Sequence, residues 1–375
     1  MKGADSSQMP MKIWYHDLYT TGIHSDSRFP RERYAMLKDR IQSSKSSGLI
    51  DFITPECATE EDLLISHDPG FIRRFIDGEL EEKEINRIGL KPWTDLFVER
   101  TLRIIGGSLS ALKHVCEFGG ISGNMAGGTH HSHTDFGSGY CVFNDIALCA
   151  VNAIESHGRS RVAVLDLDVH QGDGTATMLE DIDCALTISV HCKDNFPFRK
   201  AVSDYDLPLD SGDGDTRYLE KVRESLDILE SYEPDLVLFQ AGVDALEQDG
   251  LGKLKVTREG MKTRNRMVFS YLIEKELPCV VFMGGGYSKP ICHTIDAFYD
   301  LFIDGAVADR HIQKMSSLGP KKPKCLNYLP RHPIGIGREQ SEAVVGNHAV
   351  HVATPLMGMR SSQQLTFIRP YPDPP

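Results

Sequence analysis

The stretch VLDLDVHQGDG sets Asp166, Asp168 and His170 two residues apart. In an extended chain that spacing sends all three side chains to one side, so two carboxylates and an imidazole converge where an apolar run ends. Carboxylates buried there are costly unless a cation or hydrogen-bond donors satisfy them, and the carboxyl ends of parallel strands are where open α/β sheets keep their sites. A second run, DLVLFQAGVDAL, ends at Asp244. Asp168, His170 and Asp244 then make a three-ligand set that leaves a coordination position for water and substrate, as a catalytic ion needs and a structural one does not. Nitrogen and oxygen donors without thiolate suit zinc, and also iron or manganese.

Upstream, GGTHHSHTDFGSGYCVFND carries His130, His131 and His133 among glycines that let backbone approach a ligand closely. Alone, such a cluster reads equally as a solvent-facing loop. The nearby carboxylates tip the reading toward chemistry, because an active imidazole needs a partner to fix its tautomer, and Asp166 and Asp173 are free to serve. CVVFMGGGYS places Tyr287 after three glycines at a strand end, where a phenol can donate a hydrogen bond. Gly284 to Gly286 do not read as a phosphate loop: no lysine follows at P-loop spacing and no GxGxxG opens a helix.

These groups need a frame. MKIWY, RVAVLDLD, CALTISVH, DLVLFQAG and CVVFMGGG read as short buried strands, and segments from Leu96 to Phe118, Phe143 to His157, Arg217 to Ser231 and Arg258 to Glu276 have helical spacing. Alternating strand and helix, with strands apolar throughout, predicts a parallel sheet covered on both faces. One α/β domain is expected over 11–305, its N-terminal hundred residues mainly helical and folding over the sheet edge and the rim of the site. Residues 306–375 are proline-rich and net basic, with nine Lys/Arg against four Asp/Glu, and read as a poorly ordered tail. LGPKKPK within it reads as a solvated loop before it reads as a nuclear address.

Composition excludes several classes. The chain of 375 residues has no apolar run long enough to span a membrane, and MKGADSSQMP lacks a secretory apolar stretch, so a soluble, non-secreted protein of nucleus or cytoplasm is expected. Nine cysteines without a CxxC pair exclude a disulfide scaffold or thiolate zinc knuckle. A formal charge of −12 argues against nucleic acid as partner and mildly favours a cationic substrate.

Taken together, GGTHHSHTDFGSGYCVFND, LDLDVHQGDG, FQAGVDAL and MGGGYS resemble, in type and order, the motifs of the zinc-dependent histone deacetylase family. FPRERYAMLKDRI, SHDPGFIRRFIDGEL and RIGLKPW look like the N-terminal part of its class IV and related bacterial branch. The resemblance implies the arginase/deacetylase fold, an α/β domain with an eight-stranded parallel sheet flanked by helices. It implies Asp168, His170 and Asp244 as zinc ligands, His130 and His131 as the histidine pair backed by Asp166 and Asp173, and Tyr287 as the catalytic tyrosine. Gly139, Tyr140, Phe196 and Gly285 fall at substrate-binding positions, Tyr140 replacing the commoner phenylalanine. A monovalent cation, potassium, is implied near the zinc, with Asp166, Asp168, His170, Ser189 and Val190 contributing. The implied reaction is hydrolysis of acyl-lysine amides in histones or other proteins, with corepressor-type protein partners.

Three rivals share these residues. The same site serves fatty acyl-lysine or acetylpolyamines, a question of pocket depth and rim charge. A catalytically dead acyl-lysine-binding scaffold would normally lack a ligand, a histidine or the tyrosine, and here all are present. An arginase-like two-metal site would need paired DxHxD motifs, which are missing.

Overall fold

The computed structural model describes residues 9–317. Its frame is an all-parallel sheet of eight strands: β1 (Met11–Trp14), β2 (Ile50–Ile53), β3 (Ile121–Asn124), β4 (Val162–Asp166), β5 (Ala185–Cys192), β6 (Tyr205–Leu209), β7 (Leu236–Gln240) and β8 (Cys279–Phe282). They lie in the order β2-β1-β3-β8-β7-β4-β5-β6. The five apolar runs expected as strands form β1, β4, β5, β7 and β8. The other three carry weak strand signals. β3 reads ISGN, yet sits between β1 and β8, where Gly123 packs against the Val281 carbonyl and Asn124 donates to the Ile104 carbonyl at 2.8 Å. β2 and β6 are edges, and β6 tolerates Pro208 there.

Successive residues of each central strand enter different apolar clusters, so both faces are buried. Val162, Val164, Leu236, Leu238, Val280 and Phe282 face the second half of α6 (Asp95–Phe118) and α7 (Asp145–Glu155). Ala163, Leu165, Val237, Phe239 and Val281 share the opposite cluster with α9 (Asp215–Tyr232), α10 (Arg258–Lys275) and α11 (Cys292–Ser317). This is why the strands read as continuous rather than alternating hydrophobic runs. Side chains that accept from the first turn begin three of these helices: Thr94 from Phe97 N, Asn144 from Ala147 N, and Thr257 from Gly260 N.

The four expected helices agree with α6, α7, α9 and α10 to within about two residues at each end. The domain end read at Gly305 falls inside α11, which continues to Ser317. Gly305 is a close-packing point, its Cα facing the Phe269 ring of α10, rather than a helix stop. The remainder of the proline-rich segment, including LGPKKPK and Cys325, and the first eight residues lie outside the described part. No helix among the described residues is long and apolar enough to cross a membrane.

Candidate active site

With every strand parallel, the carboxyl ends of β3, β4, β5, β7 and β8 open on one edge, and the chemistry gathers there. β4 ends at Asp166, so strand alternation does not itself aim Asp168 and His170. The chain beyond the strand bends, and its own carboxylates hold the bend. Asp168 N donates to Asp166 Oδ1 at 3.1 Å and His170 N to Asp168 Oδ1 at 3.0 Å. Asp244 reaches across from the loop after β7 and accepts from Val169 N at 2.9 Å.

The result is a buried cage in which His170 Nδ1 stands 3.0 Å from Asp168 Oδ1 and 3.1 Å from Asp244 Oδ2. One donor atom from each of the three residues lies within 4.8 Å of the others. The cage demands positive charge. Burial and the Asp168 carboxylate push Asp244 up to about 7, while His170 rises to about 10, burial being outweighed by its two acidic neighbours. Gly285 supplies its N–H to Asp168 Oδ2 at 2.9 Å, and a Cβ there would strike Asp244 Oδ2. Gln240 Nε2 donates to the same Asp168 oxygen at 2.9 Å. Two buried carboxylates, an imidazole and glycine clearance fit a divalent ion of nitrogen and oxygen preference.

The two adjacent histidines are driven apart electrostatically. His130 Nδ1 meets Asp166 Oδ2 at 2.7 Å and His131 Nδ1 meets Asp173 Oδ1 at 2.6 Å, with ring centroids 4.1 Å apart. Burial favours the neutral form of both. At His130, Asp166 and Asp168 overcome it and raise the imidazole to about 9. At His131 burial wins, reinforced by charged His130, and the pKa falls to about 3. His131 is therefore neutral at pH 7, donates through Nδ1 to Asp173, and keeps Nε2 as an acceptor. His133 is a supporting residue, its Nε2 at 3.3 Å from Asp173 Oδ2.

A cavity of about 150 Å³ opens on these groups, lined by His130, His131, Asp168, His170, Gly139, Tyr140, Phe196, Gly285 and Tyr287. Phe196 packs edge-on against His131 at 4.8 Å, and Tyr140 lies 5.9 Å from the Tyr287 ring. Gly139 has φ +52°, and a Cβ there would sit 2.7 Å from His131 Cδ2. Tyr140 is itself at φ 67°, a strained conformation for a bulky residue, held by a hydrogen bond from its N–H to the Ile88 carbonyl. Ser189 and Val190 do not line this cavity. Ser189 pairs in register with Asp166, and its hydroxyl meets His191 Nδ1 at 2.9 Å.

Several positioning residues were assigned no role in the sequence analysis, although Asp145, His67 and Arg33 lie within the motifs quoted there. Asp145 accepts from Gly128 N, Thr129 N, Thr129 Oγ1 and Ser108 Oγ, anchoring the chain just before His130. Asp249 accepts from Leu251 N, Gly252 N and Tyr287 N, fixing the tyrosine loop. His67 accepts from Asn144 N through Nε2 at 3.0 Å and faces the Thr134 carbonyl through Nδ1 at 3.2 Å, bracing the loop that bears the histidine pair. Arg33, buried beside Tyr287, donates to the Gly286 carbonyl at 3.1 Å. Membership of those motifs marks Asp145, His67 and Arg33, whereas Asp249 carries no signal beyond its residue type.

A histidine pair backed by carboxylates, an Asp-His-Asp cage and a tyrosine thus gather on the edge of an eight-stranded parallel sheet, an arrangement suited to amide hydrolysis. The histone deacetylase domain matches residues 27–298, and the chain belongs to that family. An uncharacterised protein of Picosynechococcus is 38% identical over 285 residues, covering 76% of this chain and 94% of that protein. Histone deacetylase 2 of Arabidopsis thaliana is 30% identical over 278 residues, 71% of this chain and 72% of the plant protein. The crystal structure of an acetylpolyamine aminohydrolase from Burkholderia pseudomallei superposes with a TM-score of 0.64 at 19% identity, covering 78% of this chain and 97% of that one, which establishes the shared fold.

Proposed function

We propose that the chain is a zinc-dependent protein lysine deacetylase that hydrolyses the amide of N6-acetyl-lysine in histones or other proteins. The observation that carries this reading is His131, hydrogen-bonded to Asp173, beside the Asp168-His170-Asp244 cage on an aromatic-walled cavity. Zinc held by those three residues supplies Lewis acidity, polarising a carbonyl and acidifying a water. Tyr140 and Phe196 clasp the aliphatic stem of the lysine. His131 Nε2 takes the proton of the attacking water as its oxygen bonds to the acyl carbon. The Tyr287 hydroxyl donates to the oxyanion as it forms. His131 then returns the proton to the lysine nitrogen as the C–N bond breaks, releasing amine and carboxylate. His130, charged and paired with Asp166, supports the developing negative charge.

A potassium ion, which Asp166, Asp168, His170, Ser189 and Val190 would hold, belongs to the same reading; its support is the register that sets Ser189 beside Asp166. A fatty-acyl substrate is the second reading, because the buried Tyr34, Arg100 and Ile104 also line the cavity. Acyl-lysine peptides from acetyl to myristoyl, assayed with and without a chelator, test both: loss of all turnover on chelation is expected, and undiminished turnover would overturn the metal mechanism.

A further inference from the structure

The chain carries a formal charge of −12, yet among the described residues six cations near the cavity-lining residues stand without a carboxylate partner. Arg28 precedes Phe29, which lines the cavity, and lies close enough to the Tyr140 phenol to oppose electrostatically the effect of its burial. Arg87 offers its carbonyl to Gly139 N and stacks its guanidinium on Phe136 at 4.6 Å. Arg199 and Lys200 follow the lining residue Phe196, and Lys253 and Lys289 follow the lining residues Leu251 and Tyr287 by two positions. Lys200 and Lys253 lean only on carbonyl oxygens, those of Asn195, Pro197 and Asp194. Among the described residues no carboxylate comes within 4.0 Å of any of these six cations.

The acids on the same segments are partly engaged. Asp249 spends its oxygens on three backbone N–H groups, and Asp194 accepts from Ser211 Oγ at 2.7 Å. Asp26, Glu82, Asp135 and Glu247 remain exposed, while Glu32 pairs with Arg31 and Asp204 accepts from Thr187. Cations left unpaired on several sides of one opening, in an otherwise acidic molecule, create a local field opposite in sign to the whole. Composition suggested a cationic substrate, and the placement of the charges reverses that. Next to them Phe198 is 90% and Val202 80% exposed, giving an apolar contact on the same rim.

The geometry points to an acyl-lysine carried in an acidic peptide segment as the preferred substrate, with acylated polyamines and lysine-rich tails disfavoured at the mouth. This rests on the reading of the site as an acyl-lysine hydrolase and adds the class of sequence around the lysine. The collar acts before chemistry, on encounter and docking, so its effect falls on kcat/KM and fades as salt screens it.

The test compares acetyl-lysine peptides of equal length with glutamate or lysine flanks, alongside N-acetylspermidine, at low and high ionic strength. The glutamate-flanked peptide is expected to show kcat/KM higher by about tenfold at low salt, the gap shrinking as salt rises. The double charge reversal R199E/K289E should bring the two peptides close to parity, while K113E, on α6 outside these loops, should leave the preference intact. Equal or faster turnover of the lysine-flanked peptide or the polyamine at low salt would overturn the inference. Fluorescence anisotropy of the same labelled peptides on metal-free protein reads the preference without turnover. Selective binding of the acidic peptide without hydrolysis of any peptide would sink the deacetylase reading and leave the collar standing; hydrolysis without charge preference would do the reverse. Salt-sensitive binding to phosphatidylserine vesicles that the acidic peptide fails to compete would assign the collar to a membrane surface and overturn the peptide proposal.

Discussion

His130 and His131 are neighbours with similar burial, and a difference of one partner charge sends them to opposite protonation states. Only His131 retains an acceptor nitrogen at neutral pH. Replacing His131 with Ala should abolish turnover while zinc content, measured by mass spectrometry, stays near one per chain. Tyr287→Phe should keep the ion and slow the chemical step by about a hundredfold, since one oxyanion donor is worth roughly that much. Turnover equal to the parent in single-turnover assays would remove the tyrosine from its role. Gly285→Ala acts differently: the added methyl collides with Asp244 Oδ2, so loss of metal should precede loss of activity, and full zinc occupancy in this variant would contradict the cage geometry.

Elements matter through the bracing they give to loops. The His-bearing loop is tied to α7 by Asp145 and to the segment ahead of α4 (Pro69–Ile76) by His67, whose ring is packed edge-on against Phe143 at 5.0 Å. Burial lowers His67 to about 4, and its acceptance of Asn144 N requires the neutral ring. Its folded pKa is below the unfolded value of roughly 6.5, so unfolding takes up a proton between these values. The stability this residue contributes is full above about pH 6.5 and is lost as pH falls toward 4, by up to about 3 kcal/mol. A His67→Gln variant should flatten the fall in Tm across that interval; an unchanged slope would show that His67 does not set it. The tyrosine loop depends likewise on Asp249, and Asp249→Ala, stranding three backbone donors, should lower kcat with about 1–3 kcal/mol of stability lost.

For the molecule as a whole, charge distribution says more than net charge. The acidic total describes the body, and the six cations describe the opening. Under the proposed function the cage would couple metal to fold: Asp168, His170 and Asp244 from two loops come together only in the native sheet, so a chelator should lower Tm, with the shift growing with the logarithm of zinc concentration on re-addition. A Tm indifferent to chelation would show that these ligands do not hold the ion.

The chain's local pattern determined the apolar strands β1, β4, β5, β7 and β8, the four long helices and the cage residues Asp168, His170 and Asp244, while the pairing of His130 with Asp166 and of His131 with Asp173 was implied by the family resemblance. The strands, helices and cage residues are announced by short-range spacing or by polar groups at the end of an apolar run, where burial leaves few alternatives. Tertiary structure alone decided the rest. β3 is a strand because two neighbours bond to it, despite its glycine and asparagine. α11 continues past Gly305 because α10 packs there. Asp145, Asp249 and His67 act through partners close in space, some of them distant in the chain, and the cationic collar is assembled from loops scattered over most of the chain. Periodicity is a property of neighbours in sequence, whereas hydrogen-bond satisfaction and electrostatic field depend on distance through space, and only folding sets that distance.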